Sequence, residues 1–227
     1  AERETGVQQH IRADAGCHLF PINEPFNLGA TTMGYGLGSA GASALRGAGA
    51  HRPAIGVMGG GGVWHNGLTS GIGQVVLVVD NAYSAATGGQ DVLSSLADNP
   101  IRSTQHPIER AVRGVGVTWA KTITNTYDVA KLRDTFIEAL SSKDKGPKVI
   151  VAQSECQLNL QRREKPKTQK AIASGKRVVR QRFGVDAETC TGDHACIRVS
   201  GCPSLTIKDT PGPMRTDPVA TVIDSCV

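Results

Sequence analysis

Residues 54–94, AIGVMGGGGVWHNGLTSGIGQVVLVVDNAYSAATGGQDVLS, decide the reading of this chain. Residues 55–58 and 75–79 are short apolar runs bounded by turn signals, the second of them almost wholly β-branched. Parallel strands buried on both faces have that pattern. Between the two runs, Gly59, Gly60, Gly61 and Gly62 predict a turn whose backbone can pass close to a phosphate without interference from Cβ atoms, and then a short helix. Asp80 and Asn81 end the second strand, and a polar loop with Thr87, Gly88, Gly89 and Gln90 follows. Their oxygen atoms suit a hard cation such as Mg²⁺. Strand, glycine turn, helix, strand and polar loop together form the layout of a diphosphate site at the carboxyl ends of parallel strands.

Four glycines after a strand also suit a plain loop. A Walker phosphate loop is excluded, because no Gly-Lys-Ser/Thr stands at the helix start. A nicotinamide fingerprint places an acid at the end of the next strand, and Asp80 meets that requirement, so the glycines alone leave that fold open.

Outward from this segment the pattern stays α/β. Residues 1–12 read as a frayed or linking segment, 14–19 as a strand end carrying Cys17, and 28–47 as a helix of small residues. Residues 82–105 read as a long polar loop and 107–112 as a short helix with Pro107 in its first turn. Residues 116–122 and 148–153 read as strands. Val129, Leu132, Phe136, Ile137 and Leu140 recur at helical spacing and mark an amphipathic helix between them. This alternation predicts a doubly wound parallel sheet over residues 13–156. A basic arm over 157–182 and a small cysteine-bearing unit over 183–227 follow.

The wording of the central segment adds a resemblance. Residues 58–68, MGGGGVWHNGL, and 79–91, VDNAYSAATGGQD, resemble the thiamine-diphosphate-binding domain of the 2-oxoacid:ferredoxin oxidoreductases. Within them they resemble most the indolepyruvate ferredoxin oxidoreductase alpha subunits. The likeness takes in Gly16-Cys17-His18, residues 25–29, Met33-Gly34 and the cysteine-bearing tail. It implies oxidative decarboxylation of an aryl 2-oxoacid, of the indolepyruvate type, with coenzyme A. Electrons would pass through [4Fe-4S] clusters to ferredoxin, and a smaller oxidoreductase subunit would be a partner. Residues 59–62 would then cradle the diphosphate, with Thr87 and Gly88 in the loop beside it. Asn81 and the Tyr83 carbonyl would hold Mg²⁺, and Cys17 would lie near the thiazolium. His65 and Asn66 are expected at the start of a helix, near phosphate or substrate, with His65 the one candidate catalytic side chain. In this family the acid that activates the aminopyrimidine ring comes from another domain.

Two departures stand out. The family motif begins Gly-Asp-Gly, and its Asp binds the metal; here Gly60 occupies that position. Gly59 and Asn81 are 22 positions apart, where the family has about thirty. The crossover over 59–74 therefore holds a turn, a helix and a return in 16 residues, near the practical minimum. These departures keep open a non-catalytic remnant or interaction module of the same fold. A non-oxidative thiamine-dependent decarboxylase is a further alternative, disfavoured because it needs no exit for electrons.

The six cysteines divide into Cys17 and Cys156, each isolated, and Cys190, Cys196, Cys202 and Cys226 close together. Cys156, after a buried strand, reads as a packed thiol. Cys190, Asp193 and Cys196, then Cys202-Pro203, follow the bacterial ferredoxin order, with Asp193 where the second Cys would stand and a final gap of five residues rather than three. Cys226 looks like the first Cys of a second run, and both chain ends look cut. A disulfide set is the bland alternative, out of place in a reducing compartment.

Composition agrees with a cytoplasmic α/β protein. No apolar run approaches a membrane span, and the start carries no signal-peptide pattern, so no membrane is expected as a partner. The net charge of +5 is local: residues 157–182 hold nine of the 25 Lys and Arg and one of the 20 acids, leaving the remainder at −3. That segment lacks aromatics, and its cations share no obvious helical face. A solvated arm, or a surface for an acidic partner such as ferredoxin, fits it better than nucleic acid.

Overall fold

In the computed structural model, residues 2–24, 26–29, 31–32, 34–47, 53–69, 75–97, 99–179, 183–200, 202, 204–208 and 217–223 are described. The chain divides into two units, Ala1–Leu160 and Gln161–Val227. In chain order the first unit holds α1 (Glu2–Thr5), β1 (His10–Ala13), β2 (Thr31–Thr32), α2 (Gly38–Gly47), β3 (Ala54–Gly59), α3 (Gly60–His65) and β4 (Val75–Asp80). There follow β5 (Tyr83–Ser84), β6 (Gln90–Asp91), α4 (Ile108–Gly114), β7 (Trp119–Ile123), α5 (Val129–Ser141) and β8 (Lys148–Gln153). Helix α6 (Gln157–Ala173) begins in the first unit and ends in the second.

The main sheet runs β2-β1-β3-β4-β8-β7, and every neighbouring pair is parallel. The two-residue β2 is its edge, leaving five strands of working length. Residues of β4 alternate between two separate cores, which is why the strand reads as a continuous apolar run. Val76 and Val78 pack with Met58, Val63, Ile108, Val112 and Val151, under α3 and α4. Val75 packs with Ile55, Ile150 and Ala139, and with Leu132, Phe136 and Leu140 of α5. Burial of each such Val or Ile is worth about 1.5–3 kcal/mol.

The chain order explains why helices cover both faces. From β1 to β3 to β4 the path moves one way across the sheet; from β7 to β8 it turns back. Parallel crossovers are right-handed, so reversing direction carries α5 to the opposite face from α3 and α4. Helix α2 lies against β3 so closely that a Cβ on Gly56 would be 2.9 Å from the Ser39 Cα. The path also leaves β1 outward to β2 before returning to β3, which opens a crevice at the carboxyl ends of β1 and β3.

Several expectations are corrected. Residues 10–12, read as part of a frayed or linking segment, form β1 with Ala13 inside the sheet, with Ile11 opposite Ile55. The expected strand end at 14–19 is a turn followed by a 3-10 helix, Cys17–Ile22. Helix α2 starts only at Gly38, after β2. The polar loop after β4 contains a small antiparallel hairpin of β5 and β6. In α5, Asp128 caps the helix by accepting the Lys131 N–H at 2.9 Å, but Val129 is 74% exposed and outside the core. The compressed crossover is met by cutting α3 to six residues and adding a 3-10 turn, Gly67–Thr69.

The basic arm is a helix over most of its length. No described residue of α6 is buried, and Glu164 pairs with Lys167 at 2.9 Å and Arg163 at 3.3 Å. The second unit continues with α7 (Ala195–Ser200) and an antiparallel hairpin of β9 (Leu205–Lys208) and β10 (Val219–Val222). No described helix is long and apolar enough to cross a membrane.

Candidate cofactor site

At the carboxyl edge of the sheet, three loops close on one small cavity of about 30 Å³. Cys17 and His18 come from the loop after β1, Gly59 and Gly61 from the turn after β3, and Asn81 and Tyr83 from the loop after β4. Sequence reading named all of these except His18 as binding residues. Gly60 and Gly62 belong to the same turn but do not line the cavity.

The loop after β4 is held in an uncommon conformation. Ala82 has φ of 64°, in the left-handed region that a non-glycine residue enters at a cost of about 1–2 kcal/mol. Two contacts pay that cost. The Asp80 carboxylate accepts the Ala82 N–H at 3.1 Å, and the Ser95 hydroxyl donates to the Ala82 carbonyl. The Tyr83 N–H donates to Asn81 Oδ1 at 3.2 Å. The loop after β8 is tied to the same place: Ser154 and Cys156 donate their N–H groups to the carbonyls of Asp80 and Asn81. Strain of this kind collects at functional loops.

Two buried carboxylates flank the glycine turn. Asp80 is 2% exposed; burial pushes its pKa up, against the opposing effect of the Ala82 N–H and the Gln153 amide. Asp14 is fully buried and accepts from His18 Nε2 at 2.5 Å, Gly36 N–H at 2.7 Å and Gly59 N–H at 3.3 Å. The glycines make room for polar groups of the protein itself. A Cβ on Gly60 would lie 3.0 Å from Asp80 Oδ1, one on Gly61 2.0 Å from the Tyr35 hydroxyl, and one on Gly62 2.4 Å from Asp14 Oδ2. Tyr35 in turn meets the Ser84 hydroxyl at 2.7 Å, bridging to the loop after β4.

Other expected residues fall elsewhere. His65 and Asn66 were expected at a helix start, but α3 starts at Gly60, so His65 ends it and Asn66 is its carboxyl cap. Both are exposed and outside the cavity; His65 packs its ring 5.5 Å from that of Tyr35, and Asn66 donates to the Tyr35 carbonyl. The helix starts earlier than expected because all four glycines are drawn into strand end and first turn. Thr87 and Gly88 lie beyond the cavity: Thr87 bonds Ser84 and Gln90, and Gly88 ends a 3-10 turn with φ of 116°. Sequence reading missed three residues. Asp14 and His18 had a signal, an acid and an imidazole four apart astride Gly16-Cys17 just after a strand. Tyr35 had none, since its partner Ser84 is 49 positions away.

In the second unit, Cys190, Asp193 and Cys196 line one open depression, and Cys202 does not. Asp193 is engaged as a turn former: its Oδ1 accepts from Ala195 N–H and the Thr191 hydroxyl, both at 3.1 Å, and these bonds hold its pKa down. Among the described residues, no three His, Cys, Asp or Glu side chains are grouped to hold a metal ion. Cys226 lies outside the described residues. The iron–sulfur expectation thus gains no support from the geometry.

The crevice, the glycine turn and the Asn81 loop define a cofactor-binding domain of the doubly wound α/β class. Residues 13–152 match the family described as thiamine pyrophosphate enzyme, C-terminal TPP binding domain, and the chain belongs to that family. Thiamine pyrophosphate is the same compound as thiamine diphosphate. Among curated proteins, no sequence matches. Among solved structures, 2-oxoglutarate:ferredoxin oxidoreductase from Magnetococcus marinus, with 2-oxoglutarate, coenzyme A and succinyl-CoA bound, is similar with a TM-score of 0.52 at 16% identity. The match covers 66% of this chain and 55% of that one, so this chain spans about half its length. Benzoylformate decarboxylase from Polynucleobacter necessarius gives a TM-score of 0.48 at 17% identity over 67% of this chain and 31% of that one. Such identities speak for the fold alone.

The residues present fit the cofactor unevenly. Gly59, Asn81 and Tyr83 share the cavity, as a diphosphate cradle requires. A metal ion there would have only neutral donors, Asn81 Oδ1 and the Tyr83 carbonyl. The nearest acid to Gly60 is Asp80, which is bonded to Ala82 and Gln153 and does not line the cavity. The lining brings together the backbone of a glycine turn and polar groups from two further loops, without a carboxylate for a tightly held divalent cation.

Proposed function

We propose that this chain is the cofactor domain of a thiamine-diphosphate-dependent oxidoreductase acting on an aryl 2-oxoacid, of the indolepyruvate type. The overall reaction joins the 2-oxoacid and coenzyme A into an acyl-CoA, releases CO₂ and a proton, and passes two electrons, one to each of two oxidised ferredoxins. Thiamine diphosphate, when bound, supplies the nucleophilic carbon and electron sink that decarboxylation needs. The chain's own residues would hold it: Gly59 and Gly61 at the diphosphate, with Asn81, Tyr83 and Cys17 on the same cavity wall. The observation that carries this reading is the convergence of Cys17, Gly59, Gly61, Asn81 and Tyr83 on one cavity within the family-matched region. The oxidative branch, with its aryl substrate and ferredoxin partner, rests on the wording of residues 58–68 and 79–91.

A second reading has its own observation. Gly60, Gly61 and Gly62 face the protein's own Asp80, Tyr35 and Asp14, so protein groups take the space that these glycines would leave to a ligand. A non-catalytic remnant of the fold would look the same. Calorimetric titration with thiamine diphosphate, with and without Mg²⁺, separates the two. Weak binding with little dependence on Mg²⁺ is expected for the cofactor domain; a folded chain that takes up no cofactor under either condition is the remnant.

A further inference from the structure

A diphosphate carries several negative charges, and a cradle normally meets them with a metal ion, with Lys or Arg, or with both. Gly60 removes the metal's carboxylate. Among the described residues that line the cavity, none is Lys or Arg, and His18 is the sole side chain able to carry a positive charge. The titratable groups around it are Asp14 and Cys17 from its own loop, Tyr35 from the segment before α2, and Tyr83 from β5.

His18 is built in rather than left on the surface. Its side chain is 9% exposed, and its Nε2 lies 2.5 Å from Asp14 Oδ1. A buried carboxylate can only accept, so Nε2 carries the proton and Nδ1 is left for a ligand. Nδ1 has no partner among the described residues, and it lies 3.9 Å from where a Cβ on Gly59 would be, at the start of the glycine turn. Gly16 makes this ring position possible: a Cβ there would lie 2.4 Å from His18 Cε1 and 2.8 Å from Nδ1. Asp14 is itself locked by Gly36 and Gly59, so the ring cannot swing without leaving a buried charge unpaired.

We infer that His18, oriented by Asp14, binds a phosphate oxygen of a diphosphate in this cavity through Nδ1, so that the diphosphate is held by the ring without a metal ion. The inference rests on the cofactor reading above, and it adds a residue and a metal-independent mode of binding to it. With both ring nitrogens carrying hydrogen, the ring would donate to the Asp14 carboxylate on one side and to a phosphate oxygen on the other.

The test is calorimetry on the full chain in EDTA, using thiamine diphosphate, inorganic pyrophosphate, thiamine and phenylpyruvate, repeated on His18→Gln. Glutamine still donates to Asp14 but carries no charge. Both phosphorylated probes should bind the unaltered chain without metal, and His18→Gln should weaken them about tenfold. Thiamine, which lacks phosphates, should be indifferent to the change. In the unaltered chain, the ring ¹⁵N resonances of His18 should also move when pyrophosphate is added, a readout independent of whether the variant folds. If pyrophosphate binds through His18 but thiamine diphosphate does not, the inference stands and the cofactor reading falls. Thiamine diphosphate binding that His18→Gln leaves unchanged overturns the inference alone, as does an effect confined to phenylpyruvate. No binding of either phosphorylated probe, with unmoved His18 resonances, overturns both.

Discussion

Replacing Gly60 by Asp should create a metal site and make the fold depend on it. The new Cβ would lie 3.0 Å from Asp80 Oδ1 and 3.3 Å from Ile108 Cδ1, so the added carboxyl group sits against a buried carboxylate. Two like charges about 4 Å apart repel by about 4 kcal/mol at the effective dielectric of protein sites. Leaving glycine for a residue with a side chain in the first turn of α3 returns about 0.5–1 kcal/mol. The metal-free variant should therefore lose about 3 kcal/mol. With a urea slope of about 2–3 kcal/mol/M, the midpoint falls by about 1 M. Trp64 and Trp119 both lie in the first unit and report its unfolding by fluorescence. Mg²⁺ should then rescue the variant selectively, because it neutralises the pair: at a hundredfold excess over its dissociation constant it restores about 2.7 kcal/mol. The unaltered chain, with neutral donors alone, should show almost no shift with Mg²⁺. Equal midpoints for the two proteins without metal, or equal responses to Mg²⁺, would refute the placement of Asp80 against residue 60.

Gly62→Ala should cost about 1–3 kcal/mol in the same unfolding assay, because its Cβ would lie 2.4 Å from Oδ2 of Asp14, whose carboxylate three bonds hold in place. Gly59→Ala, whose nearest contact is 3.6 Å from His18, should be nearly neutral, and the reverse ranking would contradict the turn as described. Glu109 has its pKa lowered, chiefly by the Thr122 hydroxyl and also by Arg113. Its contribution is present above the ordinary glutamate range near pH 4 and is lost as pH falls through the lower folded value. Thr122→Val should thus cost about 1 kcal/mol at pH 7, discounted because Glu109 is partly exposed, and less as Glu109 becomes protonated in acid; a gap that widens in acid would contradict it.

How much of this was legible in the sequence depended on whether the signal was local. Strands β4 and β8 were readable because both faces are buried, so nearly every residue is apolar. Strand β1 was not: His10, Ile11, Arg12 and Ala13 contain one large apolar residue, and the strand exists because its backbone pairs with β2 and β3 on either side. Helix α6 was hidden for the opposite reason, since no described face of it is buried and Pro166 interrupts it. The described cations of the segment read as a basic arm are exposed, most of them on this helix.

The site divides along the same line. Gly59, Gly61, Asn81 and Tyr83 were legible because each lies at or just beyond the end of a readable strand, β3 or β4, and the carboxyl ends of parallel strands meet whatever lies between. His65 was misplaced because four glycines give no cue to where turn becomes helix. The deeper gap concerns what the glycines are for. In sequence they read as space for a ligand; in the structure three of them face Asp80, Tyr35 and Asp14. Those partners come from residues 14 to 80, and only folding brings them to one turn. A glycine-rich turn after a strand therefore establishes close approach, without saying what approaches. Here the approaching groups include two buried acids, and an anion could share the crevice with them only if a cation stands between. With Gly60 in place of the family's Asp, His18 is the one side chain of the described cavity wall able to carry a positive charge, and it comes from the loop after β1 rather than from the glycine turn.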